Sequence, residues 1–176
     1  MHKKQFKLLQ NYIKYSLNEN KEYKTVLDIF DFDSTLYNSK QKPDEYKGPF
    51  WWNSKASLED LDHSLWIEET VNSARMSIED PTHLSIMLTA RADRPEIVYL
   101  VSQLLREKGL NFDRSFFKNT NQPTPIFKAE LVGMLLDAYP NIHIVNLWED
   151  NEDNIKEVQK KCERLGIEFN FTLISS

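Results

Sequence analysis

The sequence predicts an α/β fold of three layers, α/β/α, around a mainly parallel five-stranded sheet. Three observations carry that prediction. Short apolar runs alternate along the chain with longer runs of helical period. The three strongest apolar runs, TVLDIFDF at 25–32, LSIMLT at 84–89 and IHIVNLW at 142–148, have too few polar breaks for half-exposed strands. They suit strands covered on both faces, as in parallel sheets. The order strand, helix, strand, helix then repeats to the end of the chain, which is the pattern of crossover-connected parallel strands.

Each element follows in order. Residues 2–19 set Phe6, Leu9, Ile13 and Leu17 at three- and four-residue steps, the pattern of an amphipathic helix ending near Asn18-Glu19-Asn20. The first strand comes next. Residues 37–56 are polar and aromatic with Pro43, Gly48 and Pro49, and read as loop. A helix is predicted over 57–78, with Leu58, Leu61, Leu65, Ile67 and Val71 partly in step and Pro81 as its stop. The second strand leads to a helix in RPEIVYLVSQLLREKGL, with Pro95 near its start and Gly109 just past its end. A short strand at 114–118 and a helix in PIFKAELVGMLLDAY precede the third strong strand. A helix in NEDNIKEVQKKCERLG, closed by Gly166, and a last strand in IEFNFTLI complete the order. The expected organisation is one domain over 1–176, its core about 1–36 and 82–176, with an insertion at about 37–81.

Composition narrows the function classes. Ten Phe, seven Tyr and four Trp supply core volume although the apolar fraction is 40%. A net charge of −5 excludes a broad basic surface that would hold nucleic acid by charge alone. The segment 2–24 is a local exception, with six lysines against two glutamates, and reads as a solvated helix face or a weak landing surface for a polyanion. The single cysteine, Cys162, forms no internal disulfide and sits in a helical pattern, which fits packing in a reducing compartment. No apolar run spans a bilayer, and the amino terminus is polar, so a soluble cytoplasmic protein is expected.

In open α/β sheets ligands bind outside the carboxyl ends of the strands. The first strand ends in Asp31-Phe32-Asp33-Ser34-Thr35 and the second in Thr89-Ala90-Arg91. Lys128 stands near the start of the helix before the third strong strand, which ends in Glu149-Asp150-Asn151-Glu152-Asp153. Carboxylates gathered at buried strand ends are costly without a cation. Hard oxygen ligands in that number suit Mg²⁺, and a lysine balances remaining charge. Taken singly, Thr89 reads as a loop hydroxyl, Lys128 as a surface lysine and Asp153 as an acid favoured by a helix amino terminus. Together, in this order, they read as one site.

The set DFDST, LTA, Lys128 and EDNED resembles the four motifs of the haloacid dehalogenase-like (HAD) superfamily of phosphatases, over about residues 25–174. The resemblance implies a Rossmann-like HAD fold, a Mg²⁺ cofactor and hydrolysis of phosphomonoesters. It implies Asp31 as a nucleophile that forms an aspartyl-phosphate and Asp33 as the general acid and base. It implies Thr89 as a phosphoryl-gripping hydroxyl and Lys128 as the ammonium that stabilises phosphoryl charge. Asp150 would hold the metal with Asp31 and the main-chain carbonyl of Asp33. Dehalogenating members lack the second aspartate, so Asp33 favours phosphate chemistry. Ser34 stands where many members have glycine. The chain is also similar to the HAD-like domains of Swiss Army Knife RNA repair proteins and, more loosely, to polynucleotide 3′-phosphatases. Asp31 to Leu36, the stretch at 49–52, Ile126-Phe127-Lys128 and Trp148-Glu149-Asp150 carry that likeness, with Asn151 where an arginine is usual.

The superfamily places a cap between its first two motifs. The insertion here is short, which implies a partly open site. Within it, Trp51 and Trp52 either stack on a base or fix the loop to the domain. Arg91 either pairs with a second phosphate or a carboxylate on the substrate, or is a surface arginine near a helix start. Thr35 and Asp153 complete the candidate substrate-binding residues. The expected partner is a phosphorylated substrate: a nucleic-acid end, a nucleotide or a small metabolite. A non-catalytic binding domain on the same scaffold is the alternative from another class.

Overall fold

The computed structural model describes residues 23–39, 42–48, 50–58 and 65–175. The helix expected over 2–19 lies outside them. The elements are β1 (Val26–Phe30), α1 (Glu68–Glu79), β2 (His83–Ala92), α2 (Pro95–Lys108), β3 (Arg114–Lys118), α3 (Thr124–Ala138), β4 (Ile144–Glu149), α4 (Glu152–Leu165) and β5 (Glu168–Leu173). Short 3₁₀ turns at Trp51–Asn53 and Lys55–Ser57 interrupt the segment between β1 and α1. The sheet order is β3-β2-β1-β4-β5, and every pairing is parallel.

Strand alternation distributes the core between two faces. Leu27 and Ile29 of β1 join Ile86, Leu147, Leu135 and Val158, which places α3 and α4 on one face. Phe30 joins Met87, Val71, Ala74, Val101 and Leu104, which places α1 and α2 on the other. The three layers and the parallel sheet expected from the sequence are therefore the observed architecture. The helix punctuation also has the expected physical form. Gly109 and Gly166 close α2 and α4 in the left-handed region, at φ 77° and 68°. Cys162 is fully buried in the core, and burial, with the Glu163 charge, pushes its thiol up to about 12. No helix among the described residues is long and apolar enough to cross a membrane.

Two elements differ from the expected bounds. The helix predicted over 57–78 begins at Glu68. The main chain around residue 66 is held extended instead: Asn38 N donates to Leu65 O (2.8 Å) and Ile67 N to Leu36 O (2.9 Å). Tertiary pairing to the loop after β1 thus overrides the partial helical period. The second difference is β2, which runs past Thr89 to Ala92, with an irregular register against β3 between Leu88 and Ala92. Arg91 is consequently a strand residue. Within the insertion, α1 packs on the sheet as a layer helix, while Trp51–Asn53 lies at the carboxyl end of β2, where Asn53 Oδ1 accepts from Ala92 N.

Candidate active site

β1 is the central strand, so its carboxyl end delivers Asp31 between the ends of β2 and β4. The turn after it is tight. Ser34 N donates to Tyr37 O, and the amides of Leu36 and Tyr37 both donate to Phe32 O. Ser34 adopts φ 57°, a left-handed conformation that favours glycine and costs about 1 kcal/mol for serine.

Lys128, in the first turns of α3, is buried and bridges two acids. Its Nζ donates to Asp31 Oδ1 (2.7 Å) and Glu149 Oε2 (2.6 Å). Burial alone would lower the lysine pKa, but the charges and hydrogen bonds of Asp31 and Glu149 outweigh it and hold Lys128 above its usual range. Asp31 is raised well above the carboxylate range, first by burial and then by Glu149, with Asp33 adding and Lys128 opposing. Asp150 is pushed up to about 6, by partial burial and then by the hydrogen bond and charge of Glu149.

One ligand atom from each of Asp31, Glu149 and Asp150 lies within 4.8 Å of the others. Three ionised carboxylates and one ammonium leave a net charge of −2, which a single divalent cation would cancel. Oxygen donors in that arrangement fit a hard ion such as Mg²⁺. Sequence reasoning selected Asp150 for the metal and passed over Glu149. Its signal was present: the residue immediately before Asp150, at the end of the same strand.

Asp33 has a separate environment. Arg91 grips it with Nε to Oδ2 (3.0 Å) and Nη2 to Oδ1 (2.7 Å), and Ser39 Oγ donates to the same Oδ1. The guanidinium is fully buried, and its Nη1 donates to Trp52 O (2.6 Å) and Ser57 Oγ (2.8 Å). Arg91 therefore joins Asp33 to the insertion. Ser39 and Ser57 were invisible as site residues in the sequence, since nothing local marks them.

A cleft of about 1030 Å³ opens at this edge, lined among others by Asp31, Asp33, Lys128, Glu149, Asp150 and Arg91. Trp52 and Asp153 also line it. Asp153 is in the first turn of α4, its amide bound by the capping side chain of Asn151 (2.9 Å). Thr89 is fully buried and its Oγ1 accepts from Arg91 N (3.1 Å). Thr35 is fully buried, with no hydrogen-bond partner for Oγ1 among the described residues. Trp51 is buried edge-on to Tyr46, whereas Trp52 is 37% exposed.

The HAD domain family 1 in Swiss Army Knife RNA repair proteins matches residues 29–174. The chain belongs to this family. Two solved structures hold chains similar to this HAD-family domain. One, of a Pnkp1/Rnl/Hen1 complex, matches at 16% identity and TM-score 0.56, over 88% of this chain and 47% of that one. The other, of the Pnkp1/Rnl/Hen1 RNA repair complex, matches at 15% identity and TM-score 0.58, over 87% of this chain and 43% of that one. The domain thus spans less than half the length of either chain, and at these identities the likeness is one of fold. Among curated proteins none matches. The matched stretch of the HAD domain holds the Asp31–Lys128–Glu149 ion pairs, Asp150 and the Asp33–Arg91 pair.

Proposed function

We propose that this HAD-family domain is a Mg²⁺-dependent phosphomonoester hydrolase that works through an aspartyl-phosphate on Asp31, with a phosphorylated nucleic-acid end as its substrate. The observation that carries the reading is the Lys128 bridge between Asp31 and Glu149, with Asp150 beside it, at the open end of the central strand. Membership of a HAD family named for RNA repair proteins supports phosphatase chemistry and a nucleic-acid substrate.

Asp31 and Asp150, with Glu149 beside them and the main-chain carbonyl of Asp33, are the groups that would hold the ion. Mg²⁺ held by these groups would offset the excess negative charge and would supply Lewis-acid polarisation of the phosphoryl group. Asp31 supplies the carboxylate oxygen that bonds to phosphorus as the ester P–O bond breaks. Asp33 gives its proton to the leaving oxygen, then takes one from the water that attacks the aspartyl-phosphate and releases phosphate. Lys128 fixes the nucleophile's rotamer through its bond to Asp31 Oδ1 and sets a positive charge beside the transferring group. Arg91 holds the Asp33 carboxylate with two donors, so that it meets the leaving oxygen in one orientation.

The test is phosphate release from an aryl phosphate with Mg²⁺, and then from phosphorylated oligonucleotides. The expected result is activity in the parent that chelator abolishes and that Asp31→Asn lowers by about 10⁴-fold or more. Full activity in Asp31→Asn would remove the covalent mechanism, and silence of the parent on every phosphate ester would remove the enzyme reading.

A further inference from the structure

Acids outnumber the buried Lys128 on the β1 and β4 side of the cleft, and cations outnumber Asp93 on the β2 and β3 side. Around β1 and β4 lie Asp31, Glu149, Asp150 and Asp153. Around the ends of β2 and β3 lie Arg94 and Lys118, together with Asp93 and with Arg91, whose guanidinium is held by Asp33. Ala92 is the register partner of Lys118, and Asp93 N donates to Lys118 O (3.0 Å), so the residues before α2 sit directly beside the end of β3. Among the described residues neither Arg94 nor Lys118 forms an ion pair, with Asp93 or with any other acid, although ten such pairs or near pairs occur elsewhere. Lys118 Nζ donates to Thr124 Oγ1 (3.2 Å), a neutral group, and its partial burial lowers its pKa. A partly desolvated cation beside the amino terminus of α3, bound among the described residues to a hydroxyl, is placed to receive an anion.

The other flank of the β2 end is aromatic. Phe50 lines the cleft, is 75% exposed, and takes φ 56°. A bulky residue in the left-handed region is a backbone outlier, and such conformations gather at functional sites. No burial of the ring accounts for it. Trp52, 37% exposed, lines the same cleft two residues on. Its segment is pinned to β2 by Arg91 Nη1 to Trp52 O and by Ala92 N to Asn53 Oδ1 (2.6 Å).

We propose that the end of β2 carries a second substrate subsite, in which Phe50 and Trp52 receive a base and Lys118 and Arg94 receive an internucleotide phosphate. The cleft then takes the end of a single-stranded oligonucleotide in preference to a mononucleotide. The proposal rests on the phosphatase reading above only for the position of the terminal phosphate. Aromatic faces bind bases without regard to sequence, and paired cations bind backbone phosphate, so selectivity arises from strand length and not from sequence.

The experiment compares kcat/KM for a terminally phosphorylated hexanucleotide, the matching mononucleotide phosphate and an aryl phosphate, in the parent, Lys118→Ala and Phe50→Ala. The parent is expected to prefer the hexanucleotide, and each substitution to shrink its advantage over the aryl phosphate by about tenfold, through KM. Lys118→Ala should also reduce the salt dependence of the hexanucleotide KM by about one logarithmic unit of slope. Equal use of hexanucleotide and mononucleotide by the parent, or substitutions that lower all three substrates alike, would overturn the subsite. Anisotropy of a labelled hexanucleotide with Asp31→Asn separates the two readings. If the parent hydrolyses nothing, yet Asp31→Asn loses about tenfold in affinity on adding Lys118→Ala, the subsite stands and the phosphatase reading falls. Affinity indifferent to both substitutions sinks the subsite whatever the activity.

Discussion

β1 holds one buried aspartate and delivers a second three residues on, and they lead opposite lives. Asp28 is 2% exposed and sits in a row of polar residues across the sheet, in register with Ser85 and Asn146. Asn146 Nδ2 donates to its Oδ1 (2.7 Å), and its Oδ2 is 2.6 Å from His83 Nδ1. Asn146 in turn accepts from Asn170 (3.1 Å). Asp31, 6% exposed, has a lysine for a partner but shares it with Glu149, and Asp150 stands beside them. One carboxylate is matched oxygen by oxygen in its own layer. The other belongs to a group whose negative charge exceeds its positive charge and which faces a cleft. Burial alone does not mark a catalytic acid. Charge left unbalanced at an opening is what makes Asp31 the candidate and Asp28 not.

Lys128→Met is the harshest way to break the contrast. It leaves Asp31 and Glu149 buried together without their cation, and stability at pH 7 is expected to fall by about 3–5 kcal/mol, measured by urea unfolding. Adding Glu149→Gln should restore part of that loss, since one of the two stranded charges is gone. Retention of full stability by the single variant would mean that the bridge does not hold the site.

Asp28→Ala tests the aspartate within the strand. It strands two donors, and we expect a loss of about 2 kcal/mol in the same unfolding measurement. Phosphate release per folded molecule should stay within about twofold of the parent, because nothing on that row reaches the cleft. A large selective loss of activity would erase the distinction between the two aspartates.

The smallest effect concerns pH. Asp150 sits near 6 in the folded chain against an ordinary 3.8, so the fold binds this proton more tightly than the unfolded chain does. The metal-free protein should therefore gain stability as pH falls from 7 through 6. Mg²⁺ binding should weaken over the same range, because proton and metal compete for the carboxylate. Mg²⁺ titrations between pH 5 and 8 measure this, and a half-saturation concentration flat across that range would take Asp150 out of the metal site.

The sequence exposed the periodic and the local. The succession of strands and helices along the chain, the Gly166 stop and the acids at the ends of β1 and β4 are matters of spacing within a few residues, and they were legible. Glu149 was half legible: it stood in the right cluster, but only the Lys128 bridge separates its role from that of Asp150. What depended on distant partners was hidden. Nothing near Arg91 reveals that its guanidinium turns inward to an acid 58 residues earlier, or that a serine at 57 and a carbonyl at 52 complete its shell. The start of α1 was misjudged for the same reason, because hydrogen bonds to residues 36 and 38 hold its approach extended.

The Arg91 junction has a consequence for anyone recombining this domain with its relatives. The insertion reaches the general-acid candidate directly through the Ser39 hydroxyl, and through Arg91 by one main-chain carbonyl and one hydroxyl, at Trp52 and Ser57. A transplanted loop of any sequence that presents an acceptor at those two places inherits a working attachment. One that lacks them leaves a buried guanidinium half-satisfied, and the damage appears at Asp33 and not in the loop. Modular exchange should therefore preserve acceptors at both places, together with the Ser39 hydroxyl on Asp33 and the Asn53 side chain on Ala92 N.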